Sequence, residues 1–177
     1  MTPPLVTCPG CGLPGNAEGP TDPYGGASPA CWAAFQQVMV RDYGEFRYPK
    51  VHGLIVHAYM AQHPSYATAA GRRSVATHLV GLCLALERDV DEATARRVMG
   101  SVFPDKPDVE PLAPVPPLDA RTVASLLAAP DLEAHATRAR GWAEAVWRAW
   151  APFHAGVRAW TDAATSRAFA RPARTRS

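Results

Sequence analysis

The first thirty residues constrain this chain most, because they cannot fold alone. Residues 1–30 are rich in Gly, Pro and small polar side chains and carry almost no apolar periodicity. Such a segment buries too little apolar surface to offset the entropy of ordering it. Something must tie it down, and Cys8 and Cys11 are the anchors it offers. In Cys8-Pro-Gly-Cys11-Gly, a Cys-x-x-Cys turn sets two thiolates on one side of a tight knuckle, where backbone amides can point at the sulfurs. A thioredoxin-type redox reading needs a helix starting at the first Cys. Gly10, Gly12, Pro14 and Gly15 oppose a helix there.

Two thiolates do not close a structural zinc site, so partners must come from further along. Cys31 follows Cys11 after 19 residues, at the head of a predicted helix whose N-terminal dipole favours a thiolate. His52 follows Cys31 after 20 residues, at the head of the next helix. This Cys-x2-Cys-x19-Cys-x20-His spacing predicts a zinc ion held by Cys8, Cys11, Cys31 and His52, with His63, His78 or His57 as other choices for the fourth ligand. The bland alternative is free thiols on a loose N-terminus. Cys83, in Leu-Cys-Leu on an apolar stripe, reads as a small core residue.

The rest of the chain reads as helices. Ser28-Pro29 opens one over 30–43, with Trp32, Phe35, Val38 and Met39 as its apolar face and Gly44 as its stop. A His-rich helix over 49–63 lies between Pro49 and Pro64. His52, Val56, Tyr59 and His63 share one of its stripes, and Gly53, His57 and Met60 share another. A third helix over 74–88 buries Val75, Leu79, Leu82 and Leu86, and a short fourth over 91–102 is capped by Asp91. Residues 103–118 hold six prolines and form an extended connector over the surface. Asp119 caps a helix to Ala128, Pro130-Asp131 starts another to about Trp150, and Pro152 restarts the chain through Phe169. No strand of period two and no internal repeat is visible. The expected fold is all-α, a helical bundle with an irregular N-terminal zinc-knuckle segment. It would be a single domain over 1–177, divided into a zinc-stapled stretch (1–30), helices (31–102), the connector (103–118), C-terminal helices (119–170) and a basic tail (171–177).

With 177 residues the chain can build one core, and 18 basic against 16 acidic residues give no general drive toward nucleic acid or membrane. The stretch Arg167–Ser177 carries four arginines and no acid, and reads as a solvated terminus rather than a nucleic-acid contact. No apolar run approaches the roughly 20 residues of a membrane span. The N-terminus lacks the basic start and apolar centre of a secretory signal. The expected setting is cytoplasmic, where thiols stay reduced and cysteines read as ligands or core before disulfides.

The remaining chemistry lies in histidines on helices. His57, His63, His78 and His154 are the candidate catalytic residues, because imidazoles on several helices can converge in a bundle core as metal ligands or a general base. Carboxylates are scarce near them, and no Glu-x-x-His or His-x-x-x-His occurs. The competing reading is structural hydrogen bonding among His63, Gln62, His78 and Tyr59. Trp142, Trp147, Trp150 and Trp160 repeat at helical steps and read as core packing rather than a stacking platform. No phosphate loop, dinucleotide fingerprint or nucleophile elbow is present. Two functions stand: a zinc-binding helical protein with a binding or accessory role toward a small molecule or protein, or a metal-dependent enzyme using the helical histidines. A module docking through the Pro-rich segment is a third.

Together these residues resemble a bacterial family of unknown function. The resemblance rests on Cys8-Pro-Gly-Cys11-Gly, on Cys31-Trp32 with Phe35, on His52 through Pro64, on Ser74-Val75 with His78-Leu79, and on Trp147–Trp160 with His154. It covers most of the chain outside the connector and tail. The family pattern carries Asp where this chain has His57, so any role of that Asp passes here only if imidazole replaces it. The resemblance supports the Cys/His reading and implies no particular reaction.

Overall fold

The structure is a computed structural model that describes residues 5–22, 25–113 and 121–170. Among these, seven α-helices and one small hairpin appear, so the mostly helical expectation holds. The hairpin was not foreseen. Strands β1 (Leu5–Thr7) and β2 (Pro14–Asn16) pair antiparallel, with Leu5 opposite Asn16, Val6 opposite Gly15 and Thr7 opposite Pro14. Three-residue strands are too short to show an alternating pattern, which is why the sequence concealed them.

Helix α1 (Pro29–Tyr43) begins as its cap chemistry requires, with the Ser28 hydroxyl accepting from the Cys31 N–H at 3.3 Å. Helix α2 (His52–Gln62) starts three residues after the expected boundary, because Pro49 to His52 closes as a tight turn first. Helix α3 (Ala69–Leu86) starts five residues before the expected boundary. The Thr68 hydroxyl caps it by accepting from the Gly71 N–H at 3.0 Å, a signal that Pro64 and Gly71 overshadowed. Helix α4 (Glu92–Met99) is capped by Asp91 as expected. The helix expected over 119–128 is a single turn, α5 (Ala124–Leu127), and Asp119 lies outside the described residues. Helix α6 (Leu132–Ala149) is capped by Asp131; a 3-10 turn at Ala151–Phe153 then leads into α7 (His154–Phe169), which is the break expected at Pro152.

Helix α2 is the centre of the bundle. It packs on α3 and α6, α3 packs on α7, α4 on both α3 and α7, and α1 on α5. Its buried residues run almost continuously from Leu54 to Gln62. A helix buried all round is a core element rather than a surface one. Trp142 and Trp150 on or beside α6 are fully buried and bond back to it. The Trp142 indole N–H donates to Gln62 Oε1 and that of Trp150 to the Ala61 carbonyl, both at 3.1 Å. Trp160 is half-buried, edge-on to Phe103. The tryptophans are thus packing residues whose polar edges are satisfied. Cys83 is buried in the core, as expected.

The connector, where described, lies along α3. The Tyr66 hydroxyl donates to the Leu112 carbonyl, Arg72 pairs with Asp108, and Arg73 donates to the carbonyls of Lys106 and Pro107. Residues 114–118 lie outside the described set. Arg167, assigned by sequence to the tail, belongs to α7 and donates to the Ser101 and Val102 carbonyls at the end of α4. Residues 171–177 lie outside the described set. No helix among the described residues is long and apolar enough to cross a membrane.

Glu87 at the end of α3 joins three helices. It accepts from Nε and Nη2 of Arg158 on α7, at 2.8 and 2.7 Å, and from the Trp147 indole on α6 at 3.1 Å. The Arg158 guanidinium, seconded by Trp147, holds its carboxyl at about 2 against an ordinary 4.5. A depressed carboxylate stabilises the fold above its unfolded value and loses that contribution as pH falls through the folded one. Urea titrations are expected to show wild-type stability declining between pH 4.5 and 2, with a smaller decline over that window in Glu87→Gln.

Candidate metal centre

The knuckle sits at the tip of the β1–β2 hairpin. Its turn is closed by the Gly12 N–H donating to the Cys8 carbonyl at 2.8 Å and the Cys8 N–H donating to the Leu13 carbonyl at 2.9 Å. Gly12 takes φ of 75°, a left-handed conformation that glycine adopts without Cβ strain. The knuckle docks on the C-terminal end of α2. A Cβ on Gly10 would stand 2.6 Å from the Gln62 carbonyl oxygen and 2.5 Å from the His63 ring. Only a residue without a side chain fits at that approach. The Gly26 N–H, donating to the His63 carbonyl at 2.9 Å, ties the loop before α1 to the same helix end.

Docking brings Cys8, Cys11, Cys31 and His63 together. All four are buried, and one ligand atom from each lies within 4.8 Å of all the others. Cys11 Sγ is 3.6 Å from Cys31 Sγ, and Cys31 Sγ is 3.3 Å from His63 Nε2. Zinc–sulfur bonds of about 2.3 Å in a tetrahedron put sulfurs about 3.8 Å apart, so the donors already stand near coordination spacing. Neighbouring groups act on three of the donors, His63, Cys8 and Cys31. The Tyr59 carbonyl, 2.7 Å from His63 Nδ1, can only accept, so Nδ1 carries hydrogen and Nε2 is turned to the sulfurs. The Ser28 N–H donates to Cys8 Sγ at 3.4 Å. Cys31 lies in the first turn of α1, where the helix dipole favours a thiolate. The Tyr59 hydroxyl is also buried and lacks a hydrogen-bond partner among the described residues.

The electrostatics favour a cation. Hydrogen bonding from Cys11, then Cys31, holds the Cys8 thiol far below the usual thiol range. Cys31, bonded to Cys11 and Cys8 in turn, is pushed up, because negative charge is already on the cluster. Burial opposes charge on His63, but the Cys11 and Cys8 sulfurs outweigh it and raise the imidazole to about 9. Three sulfurs this close cannot all ionise without a countercharge. A soft divalent cation supplies it and would displace the remaining protons.

The other expected site residues lie elsewhere. His52, the expected fourth ligand, starts α2, whereas the knuckle docks at the far end of that helix, roughly 15 Å away at 1.5 Å per residue. His52 Nδ1 instead donates to Asp42 Oδ2 at 3.0 Å, and its Nε2 is 3.2 Å from the Tyr43 hydroxyl. His63 therefore stands among the thiols rather than with the other helical histidines. His57 and His78 do meet, with 2.9 Å between their Nδ1 atoms, and His78 lines a hollow of about 360 Å³ between α3 and the end of α4. Burial depresses His57 to about 3 and His78 to about 4, so both are neutral near pH 7. His154 stacks on Trp147 at 3.8 Å between ring centroids, and its Nε2 donates to the Trp147 carbonyl. Four imidazoles thus go to three separate places. The sequence also gave no notice of Asp42 and His135, which meet in the core with Oδ1 and Nε2 2.9 Å apart. Neither belongs to a recognisable spacing.

The close approach at Gly10 makes a specific prediction. Gly10→Ala forces the knuckle off the end of α2, and the affinity of the cluster for a metal ion is expected to fall by about 10–100-fold, the usual loss when a ligand's support is disturbed. Competition with a chromophoric chelator measures it.

No curated protein and no solved structure matches this chain. A family of unknown function, DUF5946, matches residues 6–151, a span that contains all of the hairpin but Leu5, the four clustered donors and the helices through α6. The chain therefore belongs to the DUF5946 family.

Proposed function

We propose that this chain is a zinc-binding helical protein, one cytoplasmic domain, whose Cys8, Cys11, Cys31 and His63 hold a single structural zinc ion. The observation that carries the reading is the burial of four soft donors within 4.8 Å of one another. Three thiolates and an imidazole suit zinc by softness and by number, and four protein ligands leave no open position for a substrate. Zinc would hold residues 5–31, the segment least able to order itself, against the end of α2. The four cysteines are unpaired, which agrees with a reducing compartment. With the centre closed, the role we propose is binding or accessory, toward a small molecule or a protein.

A second reading, a metal-dependent enzyme, is narrowed to the His57–His78 pair. Its supporting observation is the position of His78 on the wall of a hollow that Ser74, Thr77 and Arg73 also line. Neutral imidazoles in contact can bind metal or move a proton.

One measurement separates the readings. Elemental analysis of purified protein is expected to give one zinc per chain. Cys31→Ser and His63→Ala are expected to lose most of it, and His52→Ala to keep it. Unchanged zinc in Cys31→Ser and His63→Ala defeats the proposed centre. A second equivalent that disappears in His78→Ala favours the enzyme reading.

A further inference from the structure

At the other end of α2, a second constellation is assembled around a buried carboxylate. Asp42, in the last turn of α1, is fully buried. His52 Nδ1 lies 3.0 Å from its Oδ2, and His135 Nε2 from α6 lies 2.9 Å from its Oδ1. His135 is itself fully buried, and neither of its ring nitrogens nor Asp42 Oδ1 makes a well-directed hydrogen bond among the described residues, so the two groups are in close contact without a bond between them. A carboxylate can only accept, so His52 carries its hydrogen on Nδ1 and presents a bare Nε2. That nitrogen is 3.2 Å from the hydroxyl of Tyr43, a residue 62% exposed.

The chain gives up local comfort to build this arrangement. After α1 it turns back through Arg47 and Tyr48, two consecutive residues with left-handed φ of 52° and 61°. Neither is glycine, and non-glycine residues in that region persist only where surrounding structure holds them. What holds them is the return itself: the Phe46 N–H donates to the Arg41 carbonyl and the Tyr48 N–H to the Asp42 carbonyl. The return sets Phe46 against His135, at 4.8 Å between centroids, and Tyr48 against His52 at 4.5 Å. Both imidazoles are roofed by aromatic rings, while the Tyr43 edge stays open to solvent.

A hydroxyl on the surface, an imidazole whose free nitrogen faces it, and a buried carboxylate fixing the tautomer reproduce the logic of an activated nucleophile. We propose that Tyr43 is a base-activated nucleophile that accepts an acyl group from a small activated ester. The Tyr43 oxygen attacks the carbonyl carbon, and its proton passes to His52 Nε2. The new aryl ester bond forms as the donor's C–O bond breaks, and the proton leaves with the departing alcohol. Asp42 stabilises the transient imidazolium through Nδ1–H. His52 acts as general base, and Asp42 is its positioning residue. The metal centre, at the opposite end of α2, takes no part.

The test uses p-nitrophenyl acetate on the full chain, with tryptic mass spectrometry to locate acetyl groups and N-acetyltyrosine amide in the same buffer as the reference. General-base assistance is worth at least about a hundredfold, so Tyr43 is expected to acetylate about a hundredfold faster than the free amide. Tyr43→Phe removes that label. His52→Gln, with its fold checked by circular dichroism, returns Tyr43 to the reference rate, and Asp42→Asn lowers it by turning the imidazole to the wrong tautomer. Should His52→Gln or Asp42→Asn fail to fold, the wild-type comparison decides alone. A Tyr43 rate no higher than that of the free amide overturns the proposal, as does an unchanged rate in folded His52→Gln.

Discussion

Crowding three sulfurs and an imidazole into one buried site is the constraint on which the rest of this structure depends. It costs electrostatic free energy for as long as no cation offsets it, because each thiolate formed resists the next. The chain nonetheless devotes to it a hairpin, a knuckle, the first turn of α1 and the end of α2. Glycine at position 10, the Gly26 N–H and the Tyr59 carbonyl are all placed to bring the donors together. A segment with so little apolar surface has few other means of staying on the bundle, chiefly the Gly26 N–H bond to His63 and the packing of Leu13 and Ala27.

The second dependence is helix α2, whose burial on nearly every side leaves its polar side chains to find protein partners. His57 does so in mid-helix, against His78, and the others do so at its two ends. At the C-terminal end Gln62 accepts from Trp142 and donates to the Arg121 carbonyl, while His63 turns to the sulfurs. At the N-terminal end His52 lies between Asp42 and Tyr43. One helix thus carries two polar constellations separated by apolar core. Helix α3 clasps its outer neighbours differently, through the Glu87 cluster with Arg158 and Trp147, which has solvent on one side.

Much of the helical plan was legible along the chain. Ser28, Asp91 and Asp131 mark helix starts because a short oxygen-bearing side chain accepts from the first free N–H groups, and that signal is local. The three clustered cysteines were legible as candidate ligands, since a Cys-x-x-Cys knuckle in a glycine-rich segment has few other uses. The fourth was not. His52 and His63 share one stripe of the same helix, and spacing alone favours the nearer. The choice belongs to the docking of the hairpin, whose approach to Gln62 and His63 depends on a missing Cβ at Gly10. The hairpin itself escaped notice because three residues per strand carry no period.

The sequence by itself determined the helical class, the helix starts at Ser28, Asp91 and Asp131, and the thiols that gather at the N-terminal segment. These follow from capping groups, apolar spacing and composition, which act over a few residues. Only the tertiary structure decided which imidazole joins the thiols, that His57 and His78 pair while His154 lies on Trp147, and that Asp42 is held between His52 and His135. The two partners of Asp42 are 10 and 93 residues away, and their meeting depends on how α1, α2 and α6 cross. Helix crossing is set by side-chain packing over the whole bundle, and no local pattern in the chain encodes it.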